Sequence, residues 1–203
     1  MAISKTDICN NAIGRIGAQR IMDIDDQASK SARICKNAYE LSLRELLRLA
    51  PWNFAKDRVQ LAELTTPPVF GWAKQFQLPT DYIRLVKFND IGASQDEPSQ
   101  FFEIEGRKLL TNEDTARIEY IKFVDDPNVY DSLFSEAMVV LLASKIAVPI
   151  RQDEDLATKL MVEFRTIKLP TARTTDGNEK KDRRIDPARE SRFINSRYCS
   201  TNG

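Results

Sequence analysis

The stretch RLAPWNFAKDRVQL, Arg48 to Leu61, is where the pattern of the chain changes. Upstream of it, Ala28, Ala32, Cys35, Tyr39, Leu43, Leu46 and Leu49 fall along one stripe at helical spacing, a helix that Asp25 or Asp26 can cap. Downstream, from Arg58, apolar residues arrive in short β-like runs. Pro51 has no N–H to donate and disfavours helical geometry at Ala50, so the helix is expected to stop at Ala50. Trp52 and Phe54 are then free to turn back onto the helix end, and large aromatics bury enough area to fix the angle at which the next layer leaves. Pro51, Trp52 and Phe54 are accordingly read as the structural hinge of the molecule.

Working back from the break, Ser4 with Asp7 three residues later marks a helix start, and Ile8, Ala12, Ile13 and Ile16 repeat at helical spacing up to Gly17. Working forward, RVQLAEL, KQFQL, IRLVKF, QFFEIEG, RKLLT and ARIEYIKF read as strands. They are separated at Pro67-Pro68, Leu78-Pro79-Thr80-Asp81, Gly106-Arg107 and Thr111 to Asp114. FEIEGRKLLTNEDTARIEYI reads as a three-strand meander with its first turn at Gly106, and residues 91–100 as an exposed loop at the tip of this β module.

After Asp125-Asp126-Pro127 the helical period returns, capped by Asp131 or Ser132, with Phe134, Met138, Leu141, Leu142 and Ile146 inward and Pro149 as its end. Asp153 to Leu169 forms a further helix with Leu156, Leu160, Phe164 and Ile167 on one face, closed by Pro170. From Thr171 to Gly203 periodicity is lost, and eight basic against five acidic residues leave a local charge of +3. The expected fold class is α+β: a mainly α-helical bundle (1–55 and 125–170), an inserted small antiparallel β module (56–124) and an extended C-terminal arm (171–203).

Composition narrows the chemistry. The 203 residues suffice for one substantial domain, and Lys+Arg 30 against Asp+Glu 30 gives the whole chain no preference for nucleic acid or acidic partners. The chain has no histidine, so Ser-His-Asp and Cys-His catalysis are excluded and the commonest metal ligand is missing. Cys9, Cys35 and Cys199 form no C-x-x-C pair, and the first two fall on apolar helix faces as buried thiols. The N-terminus lacks a signal-peptide core, and the greasy run Met138 to Ile150 is interrupted and too short to span a bilayer, which reads as a soluble protein of a reducing cytoplasm.

Carboxylate pairs can be nominated but have plainer roles. Glu103 and Glu105 alternate with Phe102 and Ile104 on the solvated face of a strand, and Asp125-Asp126-Pro127 is a helix-entry turn. Gly14-Arg15-Ile16-Gly17 is better explained as a helix stop than as a phosphate loop, and no P-loop, dinucleotide fingerprint or G-x-S-x-G occurs. No catalytic, cofactor-binding or metal-ligating residue is therefore assigned. In the arm, Arg183, Arg184, Ile185, Arg189, Arg192, Phe193, Ile194, Arg197 and Tyr198 place sparse apolar anchors between arginines, a composition suited to ordering on a protein partner. A solvated tail and a nucleic-acid contact are the other readings of this segment.

The blocks ICNNAIGRIGAQRI, ARICKNAYELSLRELLRLAPWNFAKDRVQL, FQLPTDYIRLVKF, FEIEGRKLLTNED and YDSLFSEAMVVLLASKIAVPI, in that order over roughly residues 5 to 170, resemble the tail tubular protein A family of short-tailed bacteriophages. That resemblance implies a head-to-tail adaptor, a structural virion protein without enzymatic activity. It implies a ring, usually of twelve copies, between the portal protein and the tail nozzle protein, with DNA passing through the channel without sequence-specific binding. It further implies that the arm embraces the portal, that the β module faces the nozzle, and that the protein resides in the virion after assembly in the host cytoplasm, with no membrane partner. The readings from other classes are a cytoplasmic DNA-binding module using the basic arm and, with less support from the residues, a glycan hydrolase using Glu103 and Glu105.

Overall fold

The computed structural model describes residues 3–89, 91–92 and 101–179. It is α+β, with helices α1 (Lys5–Arg15), α2 (Lys30–Leu49), α3 (Ser132–Arg151), α4 (Glu154–Glu163) and α5 (Leu169–Asn178). Between α2 and α3 lie strands β1 (Lys56–Gln60), β2 (Lys74–Gln77), β3 (Tyr82–Phe88), β4 (Ile91–Gly92), β5 (Phe102–Glu105), β6 (Lys108–Thr111) and β7 (Arg117–Lys122).

Local chemistry sets most helix ends. Ser4 and Asp7 form the expected capping box at α1. Ser29, rather than Asp25 or Asp26, caps α2 by accepting from the Ala32 N–H. The two aspartates lie in the preceding turn, where Asp26 accepts from the Ala28 N–H and Asp25 pairs with Lys36 at 2.6 Å. Asp131 caps α3 through the Leu133 and Phe134 N–H groups.

The helix α3 does not end at Pro149. It runs to Arg151 and closes on Gln152 in the left-handed region (φ 57°). Its 20 residues, with a mean hydropathy of 1.8, would suit a membrane crossing, so the apolar segment is longer than the run Met138 to Ile150 expected from the sequence. Here α3 packs against α1, α2 and α4, burying Phe134, Met138, Leu141 and Ile146 together with Val140 and Ala147 on its other sides.

Pro170 likewise fails to close the helix that starts at Glu154. A π-helical turn over Phe164–Lys168 leads directly into α5, with the Leu169 N–H bonded to the Phe164 carbonyl five residues back and Pro170 in the first turn of α5. Widening the turn relieves the clash of the proline ring with the preceding turn. The extra residue also rotates Ile167 off the buried face, leaving it exposed while Leu160 and Phe164 stay buried. An extended arm beginning at Thr171 is therefore corrected: residues 171–178 are helix, and Ala172 is buried against the bundle. The rest of the arm lies outside the described residues.

The β module is two antiparallel sheets, β1-β7-β3-β4 and β2-β6-β5. β5 and β6 form the expected hairpin, Glu105 opposite Lys108, with Gly106 at φ 58° in the turn. The third strand of the expected meander is misplaced. β6 already pairs with β2 and β5 on its two edges, so β7 crosses to the other sheet and inserts between β1 and β3. Of the loop read at 91–100, Ile91–Gly92 pair with Lys87–Phe88, and 93–100 lie outside the described residues.

The described residues form two apolar cores. One fills the bundle, including the buried free thiols Cys9 and Cys35. The other, built on Leu61, Phe76, Leu85, Phe88, Leu109, Ile118 and Tyr120, lies between the sheets. β7 serves both, since Ile118 and Tyr120 point into the second core while Ile121 points into the first.

Candidate functional site

The break at Pro51 builds a rigid elbow. Ala50 is extended (φ −148°, ψ 160°), which ends the helix and leaves the Leu46 carbonyl in its last turn. The Trp52 indole folds back onto this turn, its Nε1–H donating to that carbonyl at 2.7 Å while the ring is buried. Trp52 meets Phe134 edge-on at 5.0 Å, and Phe54 meets Phe134 at 4.8 Å and Tyr130 at 5.5 Å, so the exit from α2 and the start of α3 share one aromatic cluster. The returning chain is fixed as well: the Arg44 guanidinium sits 4.2 Å over the Phe123 ring, and the Tyr130 hydroxyl donates to the Val124 carbonyl at 2.9 Å. Burial pushes the Tyr39 and Tyr130 hydroxyls well above the ordinary phenol range.

Between Trp52 and Phe54, Asn53 reaches the far end of the chain. Its N–H donates to Asp176 Oδ1 at 2.8 Å, and its side-chain amide donates to the Asp176 carbonyl. The hinge residues thus stand at a three-way junction of α2, the β module and α5.

The opposite end of the β module carries a different feature. Residues 65–73, between β1 and β2, form a loop held on both flanks. Gln75 Nε2 donates to the Thr66 carbonyl, Trp72 Nε1 to Glu103 Oε2 at 2.9 Å, and the Ala73 N–H to Asn112 Oδ1 at 2.9 Å. Pro67-Pro68 stiffens the ascending side, and Gly71 turns the backbone with φ 84°. Between these anchors Val69 is 96% and Phe70 86% exposed. Phe101 and Ile104, next to and on the strand that Trp72 holds, are also exposed. Pro67-Pro68, expected only as a strand reversal, is thus one side of a finger that the sequence pattern does not announce. The available signal is four residues, Val-Phe-Gly-Trp, placing three large apolar side chains where a turn is ordinarily polar.

The other nominated residues have structural partners. Glu103 and Glu105 are exposed on β5, and Glu103 serves as acceptor for Trp72. Asp125 pairs with Lys5, and Asp126 accepts from the Asn128 N–H at the short helical turn Pro127–Val129. Gly14 to Gly17 is the end of α1, where Gly17 takes φ 66°. No group of three or more cysteine or carboxylate side chains among the described residues is placed to hold a metal ion. The arm residues from Arg183 to Tyr198 lie outside the described residues.

No protein-family model matches the chain, and no curated protein is significantly similar to it.

Proposed function

We propose that the protein is a structural adaptor of a short-tailed bacteriophage, assembling as a ring between the portal and the tail nozzle and leaving a channel for DNA. The observation that carries this reading is the finger at the tip of the β module. A loop fixed on both flanks holds Val69 and Phe70 almost wholly in water, outside both apolar cores of the described residues, and a pre-organised apolar anchor of this kind suits a protein partner. The order of sequence blocks quoted above supports the adaptor class in particular. The rigid elbow supports it too, because a spacer between two rings must transmit position without bending. In this reading the finger faces the nozzle, the bundle forms the ring wall, and the segment after Glu179 engages the portal.

Light scattering of the chain, alone and mixed with a purified portal ring from the same virion, tests the proposal. The expected outcome is a stoichiometric ring, about twelve copies, on the portal. A chain that ignores the portal at micromolar concentration refutes the adaptor reading. Truncation belongs after Glu179: a cut at Pro170 would remove the buried Ala172 and the Asp176 clamp, so a loss of portal binding would then report unfolding. Replacing Val69 and Phe70 together by serine should abolish nozzle binding while changing folding stability by no more than about 0.5 kcal/mol, the usual range for exposed sites.

A further inference from the structure

Arg48 and Arg84 are joined through main-chain bonds beside the elbow, and the charge of Arg173, on a third element, acts on Arg84. Arg48, in the last turn of α2, donates from Nη1 to the Ile83 carbonyl at 2.9 Å, and Arg84 on β3 donates from Nη1 to the Arg48 carbonyl at 3.2 Å. These reciprocal bonds tie each guanidinium to main chain at or next to the other arginine. Arg173 stands one turn before Asp176 on α5, the residue clamped to Asn53, so the same junction fixes its position. Its positive charge acts on Arg84, as does that of Arg48, and Tyr82 borders both Arg48 and Arg84.

Among the described residues this cluster has no anionic partner. Ion pairs engage Arg15, Arg44 and Arg58 with glutamates, yet none of Arg48, Arg84 and Arg173 has a carboxylate partner among the described residues. The Nε–H of Arg84 is buried without a hydrogen-bond acceptor among the described residues. Burial first, and the neighbouring arginines second, drive the Arg84 guanidinium below its ordinary pKa. Like charges converging on a buried, unused donor are unfavourable as they stand and become favourable once an oxyanion occupies the space between them. Three guanidiniums match a tetrahedral group of more than one negative charge better than a single carboxylate.

We propose that Arg48, Arg84 and Arg173 form a binding site for a phosphate group. The group comes either from a small free phosphate or from a nucleic-acid backbone, and the site stands on its own geometry whether or not the protein is an adaptor.

Isothermal titration of the full chain with inorganic phosphate, at ionic strength held constant with chloride, tests this directly. Acetate serves as a carboxylate probe and a short DNA duplex as the second phosphate source. Saturable binding of one phosphate per chain is expected, weakened about tenfold or more in Arg84→Gln and in Arg173→Gln. Arg173 is exposed on α5, so that variant keeps its fold even where Arg84→Gln fails to, and circular dichroism checks both. Duplex binding that falls in the same variants assigns the phosphate to a nucleic-acid backbone, and duplex binding unaffected by them assigns it to a free phosphate. No saturable phosphate binding, binding that survives both substitutions, or acetate bound as tightly as phosphate each overturns the proposal.

Discussion

Trp52 has two jobs that its position after a proline makes possible. Its ring fills the space between α2 and α3, and its indole N–H donates to the Leu46 carbonyl in the last turn of α2. Trp52→Ala should therefore cost about 3–5 kcal/mol in urea unfolding, the scale for removing a buried aromatic. Trp52→Phe retains most of the packing but loses the indole hydrogen bond, and should cost roughly 0.5–1.5 kcal/mol. A Phe variant as unstable as the Ala variant would show that the hydrogen bond, and not ring volume, dominates. One residue on, Asn53→Ala removes the side-chain bond to Asp176 but leaves the backbone bond. The expected outcome is faster amide exchange confined to α5, with α1 and α3 unchanged. The hinge trio was legible because Pro51 forces the break by sterics alone. Asp176 as its partner was not, because nothing local links residues 123 positions apart.

At the level of elements, helix starts are more legible than helix ends. Caps are contacts over two or three residues, so Ser4 with Asp7 and Asp131 could be nominated directly. Asp131→Ala should lower stability by about 1 kcal/mol, with the loss visible as fraying of the first turn of α3 in amide exchange. Pro149 and Pro170 do not act as the stops that local sterics suggest. Each is a local penalty of about 3 kcal/mol that tertiary packing can outweigh. For α3 the gain is packing against α1, α2 and α4; for α4 and α5 it is the π turn that absorbs the ring and lets Ala172 reach the bundle. The strands were legible from their alternation and turns, but their pairing was not. A meander is the locally simplest arrangement, and only the occupied edges of β6 exclude it.

For the whole molecule, the charge pattern sets the response to pH. Hydrogen bonds or cationic partners hold five carboxyls below their ordinary values: Asp7 by Ser4, Asp25 by Lys36, Asp57 by Lys122, Asp126 by Asn128 and Glu136 by Lys168. A depressed carboxyl binds fewer protons folded than unfolded. Its stabilisation is therefore complete above the unfolded values of 3.8 for Asp and 4.5 for Glu, and is lost as pH falls through the folded ones. With no histidine in the chain, thermal midpoints should be nearly constant from about pH 5 to 8 and drop below about pH 4. A stability step near pH 6.5 would contradict this assignment.

The sequence by itself determined what short-range physics can determine: the helical stripes, the capped starts, the change of period after Arg48 and the α+β order of segments. It also determined the absence of imidazole chemistry, a matter of composition. The tertiary structure decided which strands pair, how β7 joins two cores, and that the chain after Pro170 continues as helix. It also brought Asp176 to Asn53 and Arg173 to the flank carrying Arg48 and Arg84, and left Val69 and Phe70 outside both cores. These are outcomes of competition among distant surfaces for burial and for hydrogen-bond partners, and that competition is settled only when the whole chain packs.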